Sequence, residues 1–439
     1  MPDYTGANGM REDFRIVGKP NIPGLTSYAM ATGIAKYGAD YVLPNMLHAK
    51  FLRSPYAHAR VVSVDDTEAM KIPGVVGIVK WDDPIFKEIN LMTSFPPKPA
   101  YLSNEAHHEG AEVGLIVVAE SEAICEEALA ALKIEWEELP FIVDIEKGLD
   151  PDFPPIRGPE WKEPYPHPPV FPNEDGHVIM NTHYPDDPPK VGNVSWTNKI
   201  EGNLEEGWEK ADYVLEYDVN LHDIVSLIPN PQASVAWWED GVYRPGKVLH
   251  IEGAVGKRTS IAALYNMPEE NVVQEGLFQG GKYCDWGLRM AQEITPLLSK
   301  KFGRPVRCCN TREENFDLSV NVRKTHVKMG VTKEGLITVI EDASLIDHGC
   351  PGSSEMTVFD RDWTGYYTLK CENIAQRFTV VDSNRGFMHT CAQFTPFSWD
   401  MLTVGLHVIA EKLGKDVTEI ARLNLHGPDS QKDTRPVPS

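Results

Sequence analysis

The sequence predicts an α/β (α+β) fold in two parts, a small N-terminal α/β domain and a larger α/β domain after it. Short apolar runs such as "EVGLIVVAE" alternate with helical patterns such as "EAICEEALAAL", which is typical of mixed folds. The 439 residues are more than one hydrophobic core usually holds. A proline-rich stretch separates the two parts. We therefore predict an irregular arm at 1–25, a first domain at 26–148, a linker at 149–200 and a second domain at 201–439.

The first domain is predicted to contain four strands before a helix and one strand after it. The helix over "EAICEEALAAL" has alanine and leucine at helical spacing, and Ser121 is placed to cap its N-terminus. The strand "KIEWEELP" follows, in which apolar and polar residues alternate. The four earlier strands are predicted over "NMLHAKFLRS", "ARVVSVD", "PGVVGIVKW" and "EVGLIVVAE".

The linker at 149–200 has a proline content that prevents a regular helix or sheet over most of its length. A free coil of this length is unusual inside a compact domain. We interpret the segment either as an ordered strap that lies on a surface or as an insertion.

The second domain is predicted to begin with a short helix and a strand in "EEGWEKADYVLEYDVNLH". Pro296 is expected to bend or break the helix "LRMAQEITPLLSKKFG", because proline lacks the N–H that a helix needs. The long helix "FSWDMLTVGLHVIAEKLG" should end at Gly414, and Asp416 with Glu419 predicts a capping box for a last helix. The other elements are predicted over "QASVAWWEDG", "KVLHIEG", "GKRTSIAALYN", "MPEENVVQEG", "RPVRCCNT" and "HVKMGVTKEGLITVIEDASLID".

The composition argues against several classes of protein. The net charge is −22, whereas a protein that binds a nucleic acid duplex needs a basic surface. No apolar run approaches the roughly 20 residues of a membrane-spanning helix. The N-terminus "MPDYTGANGMREDF" has neither the basic nor the apolar region of a signal peptide. We therefore expect a cytoplasmic protein with no membrane span and no nucleic acid partner.

The seven cysteines do not form a recognisable metal-binding pattern. None belongs to a C-x-x-C group or to the spacing of an iron–sulfur protein. Scattered cysteines of this kind are typical of buried thiols in a reducing compartment. We therefore predict no metal ligands in this chain.

The segment "GLFQGGKYCDWG", residues 276–287, resembles a phosphate-binding loop but departs from it at one position. Gly276, Gly281 and Lys282 match most of the nucleoside triphosphate pattern, but Tyr283 stands where that pattern needs a small hydroxyl residue. Gly280 and Gly281 carry no β-carbon, so the main chain can come within hydrogen-bonding distance of a bulky polar group. The alternative is a tight structural turn.

Several stretches, in order, resemble the molybdenum hydroxylases of the xanthine dehydrogenase and aldehyde oxidase family. The resemblance lies in "LHAKFLRSPYAHARVVSVDDTEAMKIPGVVGIV", "RPVRCCNTREENF", "GVTKEGLITVIEDASLIDHG" and "AEKLGKDVTEIARLNL", and spans about residues 26–425. It implies a hammerhead-like domain followed by the first half of a molybdopterin-binding domain. The chain is similar to the split large subunits of nicotinate dehydrogenase-like complexes.

The resemblance implies cofactor contacts in two segments. The family has a glycine-rich "GGGFGGK" loop at the position of residues 275–282, so Gln279, Gly280 and Gly281 are expected to contact the cofactor. Gln279 places an amide where the family has a phenylalanine ring. "SNRGFMHT" resembles the arginine-glycine-phenylalanine stretch near the metal, which implies cofactor or substrate contacts for Arg385, Gly386 and Phe387. A surface loop arginine is the alternative.

Two further residues are expected near the substrate. Arg323 in "NVRKTH" matches approximately the family position of an arginine that orients the substrate. Glu252 in "HIEGAV" lies where the family often has a glutamine that faces the metal, and an acid there would change the electrostatics. Glu252 could equally be an exposed turn residue.

The implied activity is the hydroxylation of an electron-poor carbon, in an aromatic heterocycle or an aldehyde, with water as the oxygen source. The implied cofactor is molybdopterin with molybdenum, alone or as a dinucleotide. The base in this family is a glutamate, which we expect on a second molybdopterin-binding subunit, so no catalytic residue is assigned here. FAD and iron–sulfur clusters are expected on partner subunits. The alternatives are a structural subunit without catalysis and a reductive dehydroxylase that acts on an aromatic thioester.

Overall fold

The computed structural model has the mixed α/β architecture that the sequence predicts. It describes residues 24, 26–88, 103–156, 193–222, 231–242, 246–252, 258–276, 278, 290–319, 322–350, 368–388 and 396–426. The helices described are α1 (Ser27–Ala31), α2 (Glu122–Ala131), α3 (Leu204–Glu209), α4 (Arg258–Leu264), α5 (Met290–Phe302), α6 (Pro396–Leu413) and α7 (Val417–Asn424). The strands described are β1 (Leu47–Arg53), β2 (Ala59–Asp65), β3 (Val75–Val79), β4 (Glu105–Ala106), β5 (Glu112–Ala119), β6 (Lys133–Glu138), β7 (Val194–Glu201), β8 (Tyr213–Leu221), β9 (Ala233–Asp240), β10 (Lys247–Glu252), β11 (Val272–Glu275), β12 (Val306–Cys309), β13 (Leu318–Ser319), β14 (Arg323–Val331), β15 (Ile337–Gly349), β16 (Ile374–Asp382) and β17 (Phe387–Met388).

A seven-stranded sheet joins the first segment of the chain to the second. Its order is β11-β10-β9-β12-β1-β5-β3, so strands from residues 26–148 and from residues 201–439 share one hydrogen-bonded sheet. The junction is β1, which pairs in parallel with β12, where Leu47 lies opposite Val306. The domain limits drawn from the sequence stay predictions.

This sheet is covered on both faces. On β5, Ile116 and Val118 belong to a core with α4 and α5, whereas Leu115 and Val117 belong to a second core with α2. Successive side chains of a strand point to opposite faces, so a strand buried on both sides is an almost continuous apolar run. That explains why "EVGLIVVAE" does not alternate in polarity.

A third core packs against a five-stranded sheet, whose order is β7-β16-β15-β14-β8. Met401 and Leu406 of α6 pack there with Val327 and Met329 of β14. The predicted turn at "TKEG" is confirmed, because Gly335 has a φ of +98° and its N–H bonds to the carbonyl of Thr332. Strand β7 lies at the C-terminal end of the range predicted as a linker.

Helix α5 runs from Met290 to Phe302 without interruption, so the prediction that Pro296 breaks the helix is wrong, whereas a bend there stays a prediction. Proline removes one backbone hydrogen bond, but Ile294, Leu297 and Leu298 around it are almost fully buried against the sheet. The carbonyl of Pro296 also accepts a 2.9 Å hydrogen bond from Nε1 of Trp238 in β9. Tertiary packing therefore maintains the helix where the local sequence opposes it.

Two predicted helix ends are confirmed. The Ser121 hydroxyl caps α2 by accepting a hydrogen bond from the N–H of Ile124, at 3.3 Å. Gly414 follows α6 with a φ of +63°, as a C-terminal glycine cap requires. In the part of the chain that the structure describes, no helix combines the length and the apolar character needed to cross a bilayer.

Candidate functional site

The candidate site begins where two parallel strands of the seven-stranded sheet end. β10 and β11 run parallel, and their last residues, Glu252 and Glu275, are register partners. The glycine-rich segment starts directly after Glu275. In open α/β sheets, ligands bind outside the carboxyl ends of the strands. The predicted substrate residue Glu252 and the start of the predicted cofactor loop therefore lie side by side at this end of the sheet.

Glu252 is a buried carboxyl group, with 2% of its surface exposed, and not an exposed turn residue. Two glycines make room for it. A β-carbon at Gly38 would overlap Oε2 of Glu252, and one at Gly276 would lie 3.0 Å from Oε1. Gly276 also has a φ of +79°, a backbone conformation that is strained for residues with a side chain. The Tyr41 hydroxyl lies beside this carboxyl group. Burial raises the pKa of Tyr41, and the charges of Glu252 and Glu275 raise it further.

The end of β11 is held by neighbouring side chains. Nδ1 of His250 lies 2.8 Å from Oε1 of Glu275, and the His250 ring stacks on Trp237 with 4.9 Å between ring centroids. Beyond Gly276, the ring of Phe278 packs against Tyr37, with centroids 6.2 Å apart. These contacts fix the start of the glycine-rich segment. Gln279, Gly280 and Gly281 lie outside the described residues, and their cofactor contacts stay predictions.

The second predicted segment carries an arginine beside a buried acid. Arg385 donates from Nη1 to the carbonyl of Val143 at 3.1 Å, and its Nε lies 3.3 Å from Oδ2 of Asp347. The other oxygen of Asp347 accepts hydrogen bonds from Ser383 Oγ at 2.6 Å and from the N–H of Gly349 at 2.8 Å. Burial raises the pKa of Asp347 to about 7, and the charge of Asp382 adds to the rise. The hydrogen bonds from Ser383 and Gly349 oppose that rise.

Gly386 and Phe387 follow, and Phe387 begins the short strand β17. This strand pairs in parallel with β13, where Leu318 lies opposite Phe387. The Phe387 side chain lies outside the described residues, so its predicted aromatic contact stays a prediction.

The backbone connects the two segments. β10 and β12 both run antiparallel to β9, and both end near its first residues, where Glu252 pairs with Val235 and Cys309 with Ala233. The chain then runs from Cys309 to β13, which pairs with β17. The Arg385 loop is therefore attached to the same end of the sheet as the glycine-rich segment.

Asn384 holds this loop and is not among the residues predicted from the sequence. Its backbone N–H donates to the carbonyl of Ile142 at 2.6 Å, and its Oδ1 accepts from the Ile142 N–H at 2.9 Å. Its Nδ2 donates to the carbonyl of His107, also at 2.9 Å. In the sequence, the only signal is an asparagine directly before Arg385. Its hydrogen-bond partners are more than 240 residues away along the chain, so the sequence does not reveal them.

Arg323 does not join these segments in the described geometry. It is 1% exposed, and its Nη2 donates to Ser344 Oγ at 2.7 Å, while its Nε donates to Thr325 Oγ1 at 2.9 Å. Its guanidinium also lies over the ring of Phe378, 5.4 Å from the centroid. These contacts give Arg323 a structural role between the five-stranded sheet and α6. Its substrate role stays a prediction.

A cleft of about 720 Å³ lies at the opposite end of the seven-stranded sheet. Its lining includes Gly246 and Lys247 at the start of β10, Asn271 before β11, and Pro305 before β12. The cleft is therefore at the amino ends of these strands and is separate from the predicted site.

Comparisons with known proteins match both halves of the chain. Residues 32–140 match the domain described as "Aldehyde oxidase and xanthine dehydrogenase, a/b hammerhead domain". Residues 183–425, more than half of the chain, match the "Molybdopterin cofactor-binding domain". The chain belongs to the xanthine dehydrogenase and aldehyde oxidase family of molybdenum hydroxylases.

Individual members of this family are similar over most of the chain. The nicotinate dehydrogenase large molybdopterin subunit of Eubacterium barkeri is 23% identical over 95% of this chain and 91% of its own length. The xanthine dehydrogenase molybdenum-binding subunit of Escherichia coli O157:H7 is 28% identical over 70% of this chain but only 38% of its own length. The crystal structure of quinoline 2-oxidoreductase from Pseudomonas putida 86 has a TM-score of 0.73, with 23% identity, 94% coverage of this chain and 50% of that chain. The chain thus spans half or less of the latter two proteins.

The described residues fit a molybdopterin by the chemistry of their polar groups. A pterin has ring N–H donors and phosphate acceptors. The Glu252 carboxyl group can accept from the donors, and the guanidinium of Arg385 can bind an anionic oxygen. Glu252 lies next to the main chain that Gly276 leaves without a side chain, and Arg385 belongs to a loop attached to the same end of the sheet.

Proposed function

We propose that this chain is the molybdopterin-binding subunit of a multi-subunit molybdenum hydroxylase. The complex would hydroxylate an electron-poor carbon of an aromatic heterocycle or an aldehyde, with water as the oxygen source. One observation supports the proposal above the others. Glu252 is the buried last residue of β10, and the glycine-rich segment follows the neighbouring parallel strand β11. The Arg385 loop is attached to the same end of the sheet.

Each segment has its own part in the proposal. When bound, the molybdenum–pterin group supplies the two-electron redox chemistry. Main-chain N–H groups at Gly280 and Gly281, with the amide of Gln279, would hold the pterin or its phosphate. Arg385 would bind an anionic oxygen, and Asp347 at 3.3 Å would keep its guanidinium oriented.

Other residues would face the substrate. Phe387 would offer an aromatic ring for stacking on a flat substrate, and Gly386 would allow close approach of the main chain. Glu252, with Tyr41 beside it, would accept hydrogen bonds from the bound group in place of the family's glutamine. The proposal does not depend on Arg323, which contacts Ser344 and Phe378.

The proposal also assigns what this chain does not supply. A second molybdopterin-binding subunit would close the site and provide the base glutamate. Electrons would leave through an iron–sulfur subunit and an FAD subunit, because this sequence has no motif for either cofactor. The complex would be cytoplasmic. The relatives are consistent with this arrangement, since one is named as a large molybdopterin subunit and another as a molybdenum-binding subunit.

An isotope experiment tests the proposed reaction. The complex that contains this chain would be incubated in ¹⁸O-labelled water with quinoline, nicotinate, a purine or an aldehyde, together with an electron acceptor. The expected product of at least one of these substrates is hydroxylated and carries the ¹⁸O label. Unlabelled product, or no product from any substrate with a complex that contains molybdenum, would contradict the proposed reaction.

The same complex distinguishes the two alternatives. A reductive dehydroxylase would remove a hydroxyl group from an aromatic thioester when supplied with a strong reductant, and would add no label. A structural subunit would remain in a complex whose molybdenum is unaffected by changes at Gly276 or Arg385.

A further inference from the structure

A second cluster of metal-binding side chains lies away from the proposed molybdopterin site. His58 directly precedes β2, Glu105 begins β4, and His107 directly follows β4. The two strands are antiparallel, with Ala59 opposite Ala106, so His58 and His107 extend the same register. Glu105 and His107 are two residues apart and therefore point to the same face. Strand pairing thus brings two imidazoles and one carboxylate together.

The distances are close to those of a metal site. Nε2 of His58 lies 3.2 Å from Oε1 of Glu105, and Nδ1 of His107 lies 3.9 Å from the same oxygen. All three candidate atoms lie within 4.8 Å of one another. In a tetrahedral zinc site with bonds of about 2.0–2.1 Å, neighbouring ligand atoms are about 3.3 Å apart. One pair already has this spacing, and small side-chain rotations would bring in the third atom.

The hydrogen bonds around His58 favour a metal-binding tautomer. Its Nδ1 lies 2.7 Å from the carbonyl oxygen of Pro140, which can only accept, so Nδ1 carries the proton. In a neutral ring, Nε2 then directs a lone pair towards the carboxylate oxygen of Glu105. That contact is favourable only if a proton or a cation lies between the two atoms. A ligating histidine commonly donates its other N–H to a carbonyl in this way.

The charges around Glu105 leave one of its oxygens for a metal. Arg60 donates to Oε2 at 2.9 Å and not to Oε1, which faces the imidazoles. Arg60 also contacts Glu137 at 3.3 Å, which offsets part of its positive charge. The hydrogen bonds that Arg60 donates to Oε2, from Nη2 at 2.9 Å and from Nε at 3.3 Å, favour the ionised carboxylate. A metal ligand must be deprotonated, so this carboxylate is ready to bind.

We propose that His58, Glu105 and His107 form a binding site for a divalent transition metal of the zinc type. Two neutral imidazoles and one carboxylate are ligands that zinc prefers, with a fourth position left for water. The site is also connected to the Arg385 loop, because the carbonyl of His107 accepts a hydrogen bond from Asn384, next to Arg385. The metal would stabilise the end of β4 that holds this loop. The metal site itself does not depend on the proposed hydroxylase activity.

Zinc binding to the full-length chain, purified without a histidine tag, tests the proposal. The protein would be treated with a chelator, dialysed and titrated with Zn²⁺ by calorimetry, and then with Co²⁺ for its visible absorption spectrum. We expect about one Zn²⁺ per chain and Co²⁺ bands of low-symmetry nitrogen and oxygen ligation. His107→Gln and Glu105→Gln should each weaken Zn²⁺ binding by at least about tenfold.

His326→Gln is the matched control, because His326 is an exposed histidine that pairs with an acid, Asp218 at 2.9 Å, outside the cluster. It should bind Zn²⁺ as the wild type does. Failure of the wild-type chain to take up Zn²⁺, or His107→Gln binding equal to that of the control, would overturn the proposal. If a variant does not fold, the wild-type Co²⁺ spectrum decides, because the absence of ligand-field bands contradicts the site by itself.

Discussion

Gly276 is the residue whose conformation and contacts most directly limit the candidate site. Its φ of +79° disfavours any side chain, and a β-carbon would meet the Glu252 carboxyl group at 3.0 Å. Gly276→Ala should therefore lower the free energy of unfolding by about 1–3 kcal/mol. It should also lower the molybdenum content of the complex, because the start of the glycine-rich segment must shift. Urea denaturation and metal analysis measure the two effects.

Gly110→Ala is the control for this change. Gly110 has a φ of +80° but nothing within 4 Å of an added β-carbon, so it should show the backbone strain without loss of molybdenum. Equal molybdenum contents in the Gly276→Ala and Gly110→Ala complexes would contradict a role of Gly276 in cofactor binding.

Asn384 provides a second prediction at the residue scale. Asn384→Ala removes two side-chain hydrogen bonds and leaves the Ile142 N–H and the His107 carbonyl without these partners. We expect a loss of about 2–3 kcal/mol in the free energy of unfolding, together with a lower kcat/KM if Arg385 is displaced. Asn220→Ala, an exposed position on β8, should change neither quantity. A stability equal to that of the wild type would contradict the anchoring role.

Helix α2 is tied to the seven-stranded sheet by an acid at its first turn. Glu122 lies 2.9 Å from Nη2 of Arg307 in β12 and 3.5 Å from Nδ1 of His48 in β1. The hydrogen bond with His48, followed by the charge of Arg307, lowers the pKa of Glu122 to about 2 from its ordinary 4.5. A lowered folded-state pKa means that the stabilisation is present above the ordinary value and is lost as the pH falls towards about 2.

Glu122→Gln should therefore make the chain less sensitive to acid. Between about pH 7 and about pH 3, the variant should lose less unfolding free energy than the wild type, because it has no carboxylate to protonate. Glu127→Gln, an exposed position on the same helix, serves as the control. If all three proteins lose the same free energy over this range, the contacts of Glu122 do not stabilise the fold.

The elements show why the sequence predicts strands and helices better than it predicts their partners. The elements β1, β5, β9 and α2 were each predicted, because their apolar residues recur at the spacing of a strand or a helix. β16, with the sequence "IAQRFTVVD", was not predicted, and α5 continues through Pro296 because buried packing outweighs a local preference. Pairings such as Leu47 with Val306 depend on tertiary structure that no local pattern contains.

The candidate site shows the same limit. The glycines, Arg385 and Glu252 were predicted because they resemble a family pattern, and their cofactor and substrate contacts stay predictions. Arg323 was also expected from that pattern, and its substrate contact stays a prediction; its side chain is buried in the structure. Asn384, Asp347 and the His58–Glu105–His107 cluster were not predicted, because their long-range contacts join residues that are 36 to 277 positions apart, which sequence spacing does not reveal.

At the scale of the whole molecule, the shared seven-stranded sheet predicts that the two segments do not fold independently. Separating residues 26–148 from residues 201–439 would remove β12 from its place beside β1. Strand β1 would then be an exposed edge strand, although most of its side chains are buried in the intact chain. Each fragment alone should be insoluble or aggregate, and the two expressed together should associate. A monomeric 26–148 fragment with a cooperative thermal transition would contradict this prediction.

The central claim is that the whole molecule binds a molybdopterin with molybdenum, and the cofactor content of the native complex tests it most directly. The complex would be isolated from its source cell through this chain, and its molybdenum measured by mass spectrometry and its pterin by fluorescence after oxidation. We predict about one molybdenum and one pterin per chain, as expected for a single cofactor site. A folded complex, complete in its subunits, that contains neither molybdenum nor pterin would contradict the account.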